Sequence, residues 1–253
     1  MSLQVEGIPQ RESLPDKKRE KLLAKLPSSQ RALLPATPAT VIAYGCIGGG
    51  KSSVMYSWLK NLFPNYYDEV VIFCSSADSK HAFESLPQKR VVFITDYDDA
   101  AFQAYVNQLK EDQLERMAAG KRSRNIFVGM DDIVLSQAVG GKGKPSAAER
   151  LMMVCRHELN ATCFICVQHP KQVNPAMRNN TLYHILCPLQ RNDLEKVAAE
   201  HSNYLADEQF IRLYHEVTQE PHSFLVIDYK VPESARFRKR FGEVLDTEQY
   251  RQH

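Results

Sequence analysis

Apolar runs alternate along the chain with segments of helical periodicity. The strand-like runs are Val41–Gly45, Val70–Ser76, Val91–Thr95, Asn125–Asp131, Thr162–Gln168, Tyr183–Leu189 and Ser223–Tyr229. The helical segments are Lys51–Leu62, Ala100–Ala119, Ser146–Glu158, Asp193–Glu200 and Asp207–Glu216. Unbroken apolar strands separated by helices are typical of an α/β fold, with a mainly parallel central sheet flanked by helices.

The same pattern predicts three regions. Residues 1–38 are polar and proline-rich and indicate an N-terminal arm or linker. Residues 39–231 carry the alternating strands and helices and form the predicted domain. Residues 232–253 are polar and basic and indicate a C-terminal tail.

Composition excludes several classes of protein. The chain has 253 residues, of which 43% are hydrophobic and 25% charged, so most of it can bury a core and is not disordered. No apolar run approaches the roughly 18 residues of a membrane helix, and the N-terminus lacks the apolar stretch of a signal peptide. We therefore expect a soluble intracellular protein with no integral membrane segment.

Neither the charge nor the cysteines identify a function. A net charge of +2 is too balanced to indicate a nucleic-acid partner. The six cysteines lie mostly within the apolar runs, and we expect all of them to be reduced core thiols. Cys163 and Cys166 have the spacing of a metal motif, but within a strand their side chains point to opposite faces, so no zinc site is predicted.

A glycine loop follows the first strand. The segment Gly45–Ser52 reads Gly-Cys-Ile-Gly-Gly-Gly-Lys-Ser and matches the Walker A pattern G-x-x-x-x-G-K-[ST] between a predicted strand and a predicted helix. Backbone amides of such a loop surround a phosphate, the lysine reaches the β- and γ-phosphates, and the serine hydroxyl binds Mg²⁺. The predicted nucleotide-binding residues are Gly45, Gly48, Gly49, Gly50, Lys51, Ser52 and Ser53.

Two aspartates end the strand that begins at Asn125. Asp131 is the predicted Mg²⁺ ligand, and Asp132 is the predicted catalytic acid that polarises water, as in a Walker B element. A competing acidic segment, residues 96–99, follows another strand, but its last two aspartates fit the first turn of the next helix better. Gly129 is unusual inside a strand and indicates close packing or a bulge.

Further polar groups lie at the ends of later elements. Gln168 ends a strand, and its amide could contact both the γ-phosphate and the attacking water if that strand lies between those of Gly45 and Asp131. Arg156 ends a helix and Arg178 follows a turn. Either arginine is a candidate for the γ-phosphate charge, and the alternative for Arg156 is that it binds the carbonyls at its own helix end.

The order of these elements, with Arg156–His157 before Gln168 and Arg178 in a Pro-x-x-Arg-Asn-Asn segment, resembles that of the poxvirus-type genome-packaging ATPases. This group of the HerA/FtsK superfamily serves large double-stranded DNA viruses, virophages and lipid-containing phages. The resemblance covers roughly residues 41–189. It implies a RecA-like P-loop NTPase fold in which the Gln168 strand lies between the two phosphate-binding strands.

The resemblance also implies a function and partners. These are ATP- and Mg²⁺-dependent movement of double-stranded DNA into a preformed capsid by a homo-oligomeric ring, a pentamer or hexamer, that docks on a capsid vertex or on capsid or membrane proteins. It places the protein in the host-cell cytoplasm or the virion. In a ring, we expect a neighbouring subunit to donate the arginine, first Arg156 and second Arg178. Lys142 and Lys144, in the flexible loop after Asp132, are the candidate DNA contacts, with residues 236–240 as the alternative.

Two other classes of protein share such a loop. A nucleotide or nucleoside kinase has a similar size, but the paired aspartates with Gln168 favour hydrolysis over transfer to an acceptor. A nucleotide-gated partitioning scaffold is the non-enzymatic alternative. DNA-stimulated ATPase activity separates a translocase from a kinase, and ring-dependent turnover argues against a scaffold.

Overall fold

The computed structural model describes residues 16–74, 81, 83–87, 90–131, 145–202 and 205–251. Its strands are β1 Thr40–Tyr44, β2 Glu69–Cys74, β3 Val91–Ile94, β4 Ile126–Asp131, β5 Ala161–Val167, β6 Tyr183–Leu186, β7 Leu225–Asp228, β8 Phe237–Lys239 and β9 Glu243–Val244. They form one sheet in the order β3-β2-β4-β5-β1-β6-β7-β8-β9. The first six in this order are parallel and the last three antiparallel, which confirms the predicted mainly parallel α/β sheet.

Nine α-helices lie in the described part of the chain. They are α1 Lys17–Lys25, α2 Ser28–Arg31, α3 Lys51–Ser57, α4 Asp99–Ala118, α5 Ala147–Glu158, α6 Pro175–Asn179, α7 Arg191–His201, α8 Asp207–Thr218 and α9 Glu248–Arg251. The helix predicted after the glycine loop is α3 continued by a π-helical turn, Trp58–Leu62. Ser146 and Glu149 form the predicted capping box of α5. None of the described helices is long and apolar enough to cross a bilayer.

The sheet separates two apolar layers. One contains β1 residues Ile42 and Tyr44 with helices α4, α5, α7 and α8, and the other contains Val41 and Ala43 with α3 and the following aromatic residues. Cys163 belongs to the first layer and Cys166 to the second, so the prediction that these thiols face opposite sides is confirmed.

The segment after residue 232 differs from the predicted polar tail. β8 pairs with β7 and β9 with β8, so this segment extends the sheet. The basic residues of this segment are paired with acidic residues of the domain. Arg238 forms a buried ion pair with Asp228 (Nη2–Oδ2 2.6 Å). Lys239 and Arg240 both pair with Glu220. The segment predicted as a basic C-terminal tail therefore includes two strands of the sheet, and its basic residues find acidic partners in the fold.

The described part of the N-terminal arm also packs on its own chain. The ammonium of Lys18 lies 2.6 Å from a carboxylate oxygen of Asp68, and Arg19 donates to the carbonyl of Pro35. Leu22 and Leu23 pack against the apolar layer of α3. Residues 16–38 are therefore attached to the sheet.

Candidate nucleotide-binding site

The glycine loop joins the carboxyl end of β1 to α3. Gly45 donates its backbone N–H to the carbonyl of Val167 (3.1 Å), which ties the start of the loop to β5. Gly48 and Gly50 have φ angles of +74° and +91°, which side chains other than glycine rarely adopt. These two positions explain why the motif needs glycine before the helix.

Lys51 lies inside the loop. Its ammonium donates to the carbonyls of Gly45 (2.8 Å) and Cys46 (3.0 Å), and the residue is 7% exposed. Gly49 closes the turn with a hydrogen bond from its N–H to the carbonyl of Cys46. Ser53 is exposed on the first turn of α3. A cation held inside a loop of backbone amides is the arrangement expected for a phosphate site.

A contact between Ser52 and Asp131 joins the first turn of α3 to the end of β4. The Ser52 hydroxyl donates to Oδ1 of Asp131 at 2.9 Å, and Asp131 is 1% exposed. A hydroxyl and a carboxylate are hard oxygen donors, which suit Mg²⁺, so these residues fit the predicted ion. Asp132, the predicted catalytic acid, lies outside the described residues.

A cysteine that the sequence analysis assigned only to the core lies beside this contact. The thiol of Cys166 is hydrogen-bonded to Asp131, and burial together with that carboxylate raises the pKa of the thiol well above its ordinary value. The thiol therefore stays protonated and donates to Asp131. Cys166 lies two residues before Gln168 and therefore faces the same side of the strand. This spacing from a predicted site residue was the indication of its position that the sequence offered.

Gln168 follows β5, which lies between β4 and β1. The sheet order implied by the resemblance is therefore confirmed. The backbone N–H of Gln168 donates to Oε1 of Gln172 (2.8 Å), which shapes the turn after the strand. Gln168 thus lies at the same edge of the sheet as Gly45 and Asp131, where parallel α/β sheets bind ligands.

Gly129 lies where β4 meets α3. A Cβ atom there would come within 2.8 Å of Met55 Sδ and 3.0 Å of Phe127 Cε1. β4 is unbroken across this position. The predicted close packing is confirmed, and it holds the helix of Lys51 against the strand of Asp131.

The two candidate arginines lie at the opposite edge. Arg156 is in the last turn of α5, just before β5 begins, and Arg178 is in α6, just before β6. Both line a cavity of about 580 Å³ at the amino ends of these strands. The structure therefore does not bring either arginine to Lys51 of the same chain.

The two arginines differ in their partners. Arg178 forms a two-point ion pair with Glu200, with Nε and Nη2 each 2.7 Å from a carboxylate oxygen, and also donates to the carbonyl of Val173. The guanidinium of Arg156 has no hydrogen bond or ion pair with another described residue. Of the two guanidinium groups, that of Arg178 is therefore the more tightly held.

The rings of His184, His201 and Tyr229 line the same cavity. The rings of His184 and His201 lie 4.2 Å apart, Tyr44 contacts Nδ1 of His184 (3.1 Å), and Tyr229 contacts Nδ1 of His201 (2.8 Å). Burial, together with the nearby Arg178, lowers the pKa of His184 well below its ordinary value and that of His201 to about 4. Both rings are neutral near pH 7. In the sequence, the only indication of this pair of rings was a single histidine, His184, within an apolar strand.

The structure does not test the candidate DNA contacts after Asp132. Lys142 and Lys144 lie outside the described residues. In the alternative set, Arg238 is buried and paired with Asp228, and Arg236 lies 3.6 Å from a carboxylate oxygen of Glu233. Residues 236–240 therefore do not present an unpaired basic surface.

Comparison with known proteins agrees with this geometry. The model of the family described as "Poxvirus A32 protein" matches residues 28–236. No protein of curated function matches the chain. The genome packaging NTPase B204 from Sulfolobus turreted icosahedral virus 2, solved with ATP-gammaS, is 16% identical, with a TM-score of 0.54 over 82% of this chain and 98% of that one.

Two further solved structures share the fold. B204 from Sulfolobus turreted icosahedral virus, described as a DNA-packaging ATPase, is 16% identical, with a TM-score of 0.56 over 80% of this chain and 96% of that one. The pCW3 conjugation coupling protein TcpA, with ATPgS, is 14% identical, with a TM-score of 0.52 over 84% and 62%. The predicted P-loop NTPase fold and its viral family are confirmed. The family match spans most of the sequence, and the chain belongs to the poxvirus A32 protein family.

Proposed function

We propose that this chain is an ATP-hydrolysing motor that moves double-stranded viral DNA into a preformed capsid. The observation that carries the proposal is the contact between Ser52 of the phosphate loop and Asp131 of β4 at 2.9 Å, beside Lys51. Its family membership and the fold it shares with B204, a DNA-packaging ATPase by description, support the same function.

Each residue at the carboxyl edge has a separate task in this proposal. The backbone amides of residues 45–50 and the ammonium of Lys51 bind the ATP phosphates. Ser52 and Asp131 hold Mg²⁺, which supplies charge neutralisation on the phosphates when bound. Gln168 orients the attacking water, and Asp132 accepts its proton.

The arginine comes from a second copy of the chain. Arg156 lies at the sheet edge opposite Lys51, so a homo-oligomeric ring that places this edge against a neighbour's phosphate loop delivers the guanidinium to the γ-phosphate. A planar, always charged guanidinium suits that task. Arg178 supports the edge through its ion pair with Glu200.

DNA and capsid contacts complete the proposal. Lys142 and Lys144 contact DNA phosphates within the ring channel, and the ring docks on a capsid vertex or on capsid or membrane proteins. The lysines directly follow the Mg²⁺-binding strand in sequence, so a change at the nucleotide can reach them.

DNA-stimulated ATPase activity tests the proposal. Double-stranded DNA raises the rate of phosphate release, and the double substitution Lys142→Ala and Lys144→Ala lowers this stimulation and its salt dependence by roughly one unit of slope per lysine. The pair Lys21→Ala and Lys25→Ala, on the exposed face of α1, is the matched control. Phosphate transfer to a nucleotide acceptor, with no response to DNA, would instead identify a kinase.

A further inference from the structure

A second cavity opens beside the phosphate loop. It has a volume of about 710 Å³ and is lined on one wall by the loop residues Gly48–Gly50 and by Ser53 and Ser57, one turn apart on α3. The facing wall comes from the turn before β7 and from the end of β8. The cavity is therefore continuous with the site that the proposed function assigns to the phosphates.

The sheet order decides which part of a nucleotide can reach this cavity. Asp131 and Gln168 lie on the β4 and β5 side of the loop, whereas the cavity lies on the β6, β7 and β8 side. A nucleotide whose terminal phosphate and metal face Asp131 must extend its other end away from that residue. That end is the nucleoside.

The wall of the cavity has the chemistry of a nucleobase site. Phe224 and Phe241 pack edge to face with ring centroids 5.2 Å apart and supply apolar surface. Arg240 lines the rim, where Glu220 holds it (Nη2–Oε1 2.8 Å), and a guanidinium can stack on a base.

Ser223 supplies an independent observation. It lines the cavity, is 4% exposed, and its hydroxyl has no hydrogen-bond partner within the described part of the chain. A buried hydroxyl without a partner is energetically unfavourable. Rotation about its Cα–Cβ bond between staggered positions presents the oxygen to the cavity, where a ring nitrogen or ribose hydroxyl satisfies it.

We propose that this cavity binds the nucleobase and ribose of the ATP, with Ser223 as the hydrogen-bonding group and Phe224, Phe241 and Arg240 as the surface against the base. This inference rests on the proposed function and adds the C-terminal strands to the nucleotide site. Residues 240 and 241 lie beyond the family match, which ends at residue 236.

Comparing two ligands distinguishes binding of the base from binding of the phosphates. Binding of ATP and of inorganic tripolyphosphate is measured by calorimetry at a fixed Mg²⁺ concentration, for the full chain and for Ser223→Ala, Phe241→Leu and Arg240→Ala. Loss of one hydrogen bond predicts a roughly three- to tenfold weaker ATP affinity for Ser223→Ala, with tripolyphosphate affinity unchanged. The other two variants change in the same direction, and Ser28→Ala, on exposed α2, serves as the control.

The outcomes are distinguishable. Equal losses for ATP and tripolyphosphate, or no loss for either, would overturn the base site while leaving the phosphate loop in place. A wild-type chain that binds neither ligand would overturn the proposed function itself. Arg240 is 44% exposed, so Arg240→Ala leaves the core intact and keeps the test decisive if either other variant fails to fold.

Discussion

The charged groups at the two edges of the sheet differ in how they are paired. The carboxyl edge is tightly connected, because Lys51 donates to the loop carbonyls and Ser52 to Asp131. The amino edge is a cavity where Arg178 is bound to Glu200 and Arg156 has no partner among the described residues. In the proposed function the phosphates bind at the carboxyl edge, whereas the guanidinium of Arg156 lies at the amino edge. Under that proposal, each complete site is formed by two copies of the chain.

The largest expected effect on the ATPase rate comes from a substitution at the amino edge. Arg156→Ala lowers the ATPase rate of the assembled protein by roughly 10³- to 10⁵-fold with little change in ATP affinity, because a donated arginine acts mainly in the transition state. Arg156→Lys does not restore the rate, since it lacks the planar fork. Steady-state phosphate release and ATP binding are the measurements, and Arg251→Ala, an exposed arginine of α9, is the control. An unchanged rate for Arg156→Ala would leave this residue with a structural role only.

The next largest effect on the ATPase rate comes from a substitution at the carboxyl edge. Lys51→Ala lowers hydrolysis by at least roughly 10²- to 10³-fold, by analogy with removal of a charge-stabilising donor, and also weakens ATP binding. The exposed Lys60, on the turn after α3, is the matched control as Lys60→Ala. Near wild-type turnover in Lys51→Ala would remove the loop from the site.

The proposed function gives Asp131 and Asp132 different roles. Asp131→Asn weakens the Mg²⁺ dependence and ATP binding, because a metal ligand loses its charge. Asp132→Asn keeps ATP bound but stalls cleavage. Binding titrations with and without Mg²⁺ measure both variants, and equal loss of binding in the two would contradict the division.

A smaller effect depends on pH and is confined to the amino edge. His201 has its pKa lowered from 6.5 to about 4 in the fold, where His184, Tyr229, Glu200 and Arg178 face it. Between these values the unfolded chain binds a proton that the folded chain does not, so stability falls as the pH is lowered through this window. The expected loss is about 2 kcal/mol between pH 7 and pH 5.

Urea unfolding at the two pH values measures that loss. His201→Gln removes the titrating group, so the variant loses less stability than the wild type over the same interval, by that same amount. Other groups, such as the carboxyl of Asp68, whose pKa is lowered in the fold, contribute equally to both proteins and cancel in the difference. Parallel pH profiles for wild type and variant would contradict the assignment to His201.

The smallest expected effect is on the packing that connects α3 to β4. Gly129→Ala places a Cβ within 2.8 Å of Met55 Sδ and destabilises the fold by about 1 kcal/mol, the low end for overpacking, because methionine can adjust. Gly242→Ala is the control, since its Cβ meets nothing within 4 Å. Equal unfolding midpoints for the two variants would show that this packing is loose.

The contrast between the edges also marks the limit of sequence reasoning. Gly45–Ser52 and Asp131 were predictable because local spacing fixes a loop, a strand end and a helix start. The contact of His184 with His201 was not, because those residues come from different elements and meet only through tertiary packing. The same holds for Ser223, whose environment includes the loop and β8.

The position of the arginines shows the same limit. Their sequence context placed Arg156 and Arg178 at element ends, but which edge those ends occupy follows from helix direction and strand order. The C-terminal strands were missed because their basic residues find acidic partners, such as Asp228, only in the folded sheet.

Mixed assemblies test the division between the edges most directly. Lys51→Ala subunits keep Arg156, and Arg156→Ala subunits keep Lys51, so each variant alone lacks one half of every site. Mixing the two, with assembly verified by light scattering, measures whether one subunit's amino edge serves another's loop. The account predicts partial recovery of ATPase activity in the mixture, well above the sum of the two variants alone. No recovery at any ratio, from subunits shown to assemble together, would contradict it.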